Sequence, residues 1–162
     1  MRSLRDLFEE RPFAVALLVA LVLLLVPYRT LLGPGVPSGR DLLPYFYPLK
    51  AHLAEALRAG EMPWIDRYRQ GGLPLLAWPG VAAFDPGNIL FVLLPTAAAA
   101  KAWMLLRVLT GAAGFAVFLR VSGLPPLSSA AGGLAWGAAG ITASAASFLG
   151  FASAHAALPW LA

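Results

Sequence analysis

The chain has 162 residues, 59% of them hydrophobic and 12% charged, against about 25% charged in an average soluble domain. With a mean hydropathy of +0.73, most of its surface is expected to face lipid or other helices. Its net charge of +4 comes from basic residues spread singly, which argues against a nucleic-acid interface, and the absence of cysteine excludes disulfides, thiolate catalysis and Cys-ligated metal.

Residues 1–11 form a charged tail with three basic side chains. The run "PFAVALLVALVLLLVPY" after it is uncharged for 17 residues, at the lower limit for a membrane span. Arg11 and Arg29 extend it by snorkelling and Tyr28 suits an interface, so a first transmembrane helix is expected over residues 12–33. A cleaved signal peptide is the competing reading, but no small-residue cleavage site comes promptly after the apolar run.

Residues 34–95 read as a large extracytoplasmic loop. Its part up to residue 85 holds five of the eight acids and five of the twelve basic residues, among many prolines, glycines and aromatics. Pro48 opens and Gly60 closes a short amphipathic helix over residues 48–59, lying on the bilayer or within an extramembrane lobe. Residues 87–95 are apolar but too short to span, and read as interfacial. A second span is expected over residues 97–120, with Arg107 snorkelling toward the same interface as Lys101, and a third over residues 127–149. Gly133 and Gly137 form a G-x-x-x-G step on that third helix, a face made for close packing. Residues 150–162 then begin a further loop or helix, so the chain reads as the N-terminal piece of a longer protein. The fold class expected is therefore an all-α integral membrane protein with about three transmembrane helices. Its expected location is a bacterial inner membrane, crossed several times, with the N-terminus cytoplasmic.

Several phrases in the loop and beyond it carry a resemblance: Asp41, then "FYPLKAHLAEALRAGEMPW", "GGLPLLAWPGVAAFDPGNILFVLLP", "GFAVFLRVSGLPPLSSAAGGLAWGAAG" and "SAHAALPW". Together they resemble the start of the bacterial YfhO-like membrane proteins, relatives of the GT-C glycosyltransferases, over residues 38–160. The chain departs from that family's "P-x-W-N-P" turn, reading Pro63-Trp64-Ile65-Asp66-Arg67. The resemblance implies a transferase that draws on a polyprenyl-phosphate-linked sugar, with Asp41 matching the family's first-loop aspartate and His155 its histidine after the third helix.

Such a transfer needs a base near the acceptor hydroxyl and a cation near the phosphate leaving group. Asp41 is the candidate base, the alternative being a solvated loop acid paired with Arg40 or another loop arginine. Asp66 is a weaker candidate for orienting an acceptor, and Asp85, ahead of Pro86, reads as a turn former. Lys50, Arg67, Arg69 and Lys101 are candidates for the phosphate, with His155 a weaker candidate for the substrate. His155 either bonds within the bundle or faces a cavity shared with the loop, and His52 reads as a polar-face residue. The residues single out no cofactor and no metal site; a divalent metal at Asp41 stays open. The partners expected are membrane lipid, the polyprenyl-phosphate sugar and the helices of a longer chain or partner protein. A non-enzymatic scaffold or assembly factor, and a subunit of a lipid or polysaccharide transporter, are the alternatives.

Overall fold

The computed structural model describes residues 11–39, 41–66 and 71–162. The described residues are mainly helical, in α1 (Arg11–Leu24), α2 (Tyr47–Arg58), α3 (Ile89–Leu93), α4 (Thr96–Val121), α5 (Pro126–Ala138), α6 (Gly140–Ala146) and α7 (Leu149–Leu161). Its β-structure is a two-residue ladder between β1 (Ile65–Asp66) and β2 (Leu73–Pro74), antiparallel with Ile65 opposite Pro74 and Asp66 opposite Leu73.

The long helix α4 is the spine, and α5, α7 and α1 pack along it. Phe13 and Leu17 near the start of α1 meet Ala116 and Val117 near the end of α4, so those two helices run in opposite directions. The short turn after Val121 returns α5 antiparallel to α4. Gly133 makes this contact possible: a Cβ there would stand 2.5 Å from the Ala112 carbonyl oxygen and 2.8 Å from the Ala116 Cβ. The G-x-x-x-G face is thus filled from within the chain, by α4 at Gly133 and by Leu24 of α1 at Gly137. The Tyr28 hydroxyl donates to the Gly137 carbonyl oxygen at 2.8 Å, tying the end of α1 to the end of α5. Helix α7 runs parallel to α4, with Ala156 against Gly111 and Trp160 donating to the Thr110 carbonyl oxygen.

The described residues between 33 and 95 fold as a lobe over the end of the bundle where α4 begins. Within it, α2 buries Leu49 and Leu53 against Leu75 and Val81. Proline near its first turn suits a helix start, and Gly60 at φ 70° forms a left-handed stop, with Glu61 N–H bonded to the Ala56 carbonyl oxygen at 2.9 Å. Arg58 at the end of α2 donates to the carbonyl oxygens of Phe91 and Val92 at 2.7 and 2.8 Å, satisfying the open end of α3.

The three-span architecture is overturned. Among the described residues one helix, α4, is long and apolar enough to cross a membrane, and 44% of its most apolar window is buried inside the fold. The described part of the first candidate ends as a helix at Leu24, a helix of 14 residues beginning at Arg11, with Pro27 in the turn beyond it; at 1.5 Å per residue that is about 21 Å, short of a hydrocarbon core. The third is broken twice. Ala139 turns extended (φ −63°, ψ 141°), and the Trp136 carbonyl oxygen accepts from the Thr142 hydroxyl at 2.6 Å and from the Ala139 amide at 3.3 Å, in place of the amide four residues on that a continuing helix would supply. Phe148 (φ −103°, ψ 91°) breaks the chain again before α7. Several crossings of a bacterial inner membrane are therefore not supported by this fold, nor is a multi-span membrane glycosyltransferase. The chain is a compact all-α bundle with its helices densely packed on one another.

Candidate functional site

The polar groups with the most developed geometry lie where the lobe meets the bundle. Lys50 projects from α2 and is fully buried. Its Nζ donates to the Val81 carbonyl oxygen and to Asn88 Oδ1, both at 2.6 Å, and lies 4.5 Å from the centre of the Trp103 ring. Asn88 in turn donates to the carbonyl oxygens of Ala82 and Ala83, each at 2.8 Å, so one amide holds the whole bend from 81 to 88. Burial lowers the Lys50 pKa to about 8; Asp85 opposes that shift and Arg107 adds to it.

Beside Lys50, Asp85 accepts from the Gly87 N–H at 2.7 Å and pairs with Arg107 of α4, and the Ser153 hydroxyl of α7 donates to it as well. The Arg107 guanidinium lies 4.7 Å from the same Trp103 ring, on which both cations converge. Arg107 therefore does not end in a water-facing interface, as snorkelling would have it; it pairs with a largely buried carboxylate of the lobe. Sequence reasoning gives Asp85 only a turn, and the signal it misses is Arg107 itself: a guanidinium in an apolar helix demands a carboxylate.

The other predicted residues lie elsewhere. Asp41 is exposed at the head of a wide turn over Leu42–Phe46, where its carbonyl oxygen accepts from the amides of Tyr45 and Phe46 at 2.9 and 3.0 Å while its side chain makes no capping bond. Asp66 is buried on β1, beside a void of about 10 Å³ that it shares with Tyr45 and Trp78, about one water's worth. The Lys101 amine donates to the Gly33 carbonyl oxygen at 2.6 Å, pinning the chain after α1 onto α4. Arg67 and Arg69 lie outside the described residues. His155 sits inside the bundle: its ring stacks on Trp136 at 5.0 Å, and its Nε2 is 3.0 Å from the Thr142 hydroxyl. It also lines an apolar groove of about 410 Å³ with Ile141, Phe151 and Leu158.

The two lysines among the phosphate-binding candidates, Lys50 and Lys101, thus spend their amines on backbone and amide oxygens at separate places. Among the described residues no three His, Asp or Glu side chains gather where they could hold a metal ion.

The remaining feature is a surface. On α1, Phe13, Leu17, Ala20 and Leu24 face the bundle. Opposite them Val15, Leu18, Val19, Val22 and Leu23, with Val26 just beyond, are 50–63% exposed. Their spacing of three and four residues makes one aliphatic stripe, bounded by the exposed Arg11 and Arg29. A helix apolar on both faces needs cover on both. No family model matches this chain, and neither a curated protein nor a solved structure matches it.

Proposed function

We propose that the chain is part of a glycosyltransferase that takes its sugar from a polyprenyl-phosphate donor, with Asp41 as the general base. The observation that carries this reading is the aliphatic stripe of α1, with an exposed acid on the lobe after it. The side chains of the stripe are all Val and Leu, without the aromatic, Met or Arg anchors that concentrate at protein interfaces. Arginines bound it at both ends, as they would beside anionic headgroups. Hydrocarbon, from the donor's own chain or the surrounding lipid, is the cover that fits it. Asp41 is exposed on the lobe, where a carboxylate can reach an acceptor hydroxyl and take its proton. The resemblance of the loop phrases to YfhO-like proteins supports the same chemistry.

A second reading is a non-enzymatic assembly factor, and a specific observation favours it. Lys50 is locked to Val81 and Asn88, Lys101 to Gly33 and Arg107 to Asp85, which serves rigidity rather than phosphate binding. Asp41→Asn in the intact protein separates the two. Transfer of labelled sugar from a polyprenyl-phosphate donor should fall at least a hundredfold with protein abundance unchanged, the low end of general-base contributions of about 10²–10⁴. Undiminished transfer removes Asp41 as the base, and absence of transfer by the unaltered protein leaves the assembly role.

A further inference from the structure

A cleft of about 480 Å³ opens on the lobe between the second half of α2 and residues 59–65, inside the range of about 300–1,000 Å³ typical of small-ligand sites. Its wall from α2 carries His52 and Glu55, and the facing segment carries Glu61, Met62 and Trp64. Trp64 is 67% exposed, an unusual place for so large an apolar surface. Neither glutamate side chain has a hydrogen-bond or ion-pair partner among the described residues. His52 Nε2 is 3.4 Å from the Ile65 carbonyl oxygen, a contact between the two walls of the cleft. The positions are held from behind. The amide of Leu75 donates to the Trp64 carbonyl oxygen at 2.9 Å, and Pro63 is buried.

We infer that this cleft is a binding site for an uncharged saccharide, with the Trp64 indole as its platform and Glu55 and Glu61 as hydroxyl acceptors. A pyranose has an apolar face of C–H groups, which packs on an indole, and a rim of hydroxyls. Ionised carboxylates are acceptors only, each able to take more than one such hydroxyl. Two carboxylates at one cleft repel a phosphate or a uronate, so the ligand is a neutral sugar chain, not the phosphate end of a lipid-linked donor. A quaternary ammonium fits less well, because its recognition uses a cage of several aromatic rings and this cleft presents one. The site is separate from Asp41 and does not depend on Asp41 being a base.

The test is direct binding to the full chain, free of any activity readout. Saturation-transfer NMR and calorimetric titration with maltotriose, cellotriose, lactose and chitobiose should find at least one ligand in the millimolar range. Trp64→Ala, at an exposed side chain, should weaken it about tenfold with unchanged circular dichroism, and Glu55→Gln with Glu61→Gln should weaken it further. Glucuronate and glucose 6-phosphate should bind less well than glucose. No binding by any of the four oligosaccharides overturns the proposal, as does binding that persists undiminished in Trp64→Ala. Choline bound in preference to every sugar also overturns it, in favour of a cation site.

Discussion

Replacing Asp85 by alanine tests the junction between lobe and bundle most sharply. The carboxylate accepts from three elements at once: the Gly87 amide in the lobe, Arg107 on α4 and Ser153 on α7. The Arg107 and Asp85 side chains are only 16% and 9% exposed. Removing the acid leaves a largely buried guanidinium whose Nε already lacks a partner among the described residues, with little beyond the Trp103 ring to offset its desolvation. Breaking a buried pair from one side costs about 3–5 kcal/mol, whereas removing both charges in favour of apolar groups is often near neutral. Asp85→Ala should therefore cost about 3–5 kcal/mol, and Asp85→Ala with Arg107→Met distinctly less. The residue of that smaller loss, about 1 kcal/mol, is the turn cap on Gly87. The measurement is urea unfolding followed by tryptophan fluorescence, with the slope checked for constancy across the variants. An Asp85→Ala cost below about 1 kcal/mol, or a double variant whose loss is the sum of the singles, would refute the reasoning.

The same packing sets three further outcomes. Lys50 has a folded pKa near 8 against 10.5 for a free lysine. The unfolded chain therefore binds more protons between those values, and stability should rise as pH climbs from about 8 to about 10.5. Lys50→Met should flatten that rise in a denaturation series over pH. Gly133→Ala drives a methyl into the Ala112 carbonyl oxygen, which backbone cannot yield cheaply, and should lower stability by about 1–3 kcal/mol in thermal melts. Tyr28→Phe strips the Gly137 carbonyl of its 2.8 Å donor and should cost about 1 kcal/mol by the same assay.

Local signals in the chain are legible where a single residue decides the backbone. Pro48 and Gly60 bracket α2 because one supplies a preset φ and the other a left-handed stop, and neither depends on the rest of the fold. The small face of Gly133 and Gly137 is legible for the same reason: absent side chains announce a close neighbour. The candidate site is far less legible. Lys50 reads as a candidate for the phosphate, yet it is fully buried, because its partners Val81 and Asn88 come from a bend more than thirty positions away. Asp85 reads as a turn residue, which it is; one oxygen accepts from Gly87, and nothing local shows that the carboxylate also holds Arg107 and Ser153. A short carboxylate that does both jobs hides the long-range one behind the local one.

The number of spans is hidden from the sequence for a different physical reason. Absence of charge over residues 127–149 says that the segment can leave water; it says nothing about whether its backbone stays helical. Continuity is decided by hydrogen bonding, and there Thr142 offers the Trp136 carbonyl an alternative to the helical amide. Once α5 is released at Ala139, α6 can turn and α7 can run back along α4, placing Ser153 beside Asp85 and His155 on Trp136. The apolar excess that suggests spans is instead divided by helix face. On α1 one face packs on α4 and α5, while the other, from Val15 to Val26, stays bare. Mean hydropathy sums the two faces and cannot distinguish them. The bare one can be probed alone: Val19→Lys with Leu23→Lys leaves Phe13, Leu17 and Leu24 in place, so it should abolish lipid-vesicle binding while the unfolding midpoint stays put. Loss of fold instead would mean that this stripe is covered within the protein's own assembly and not by hydrocarbon.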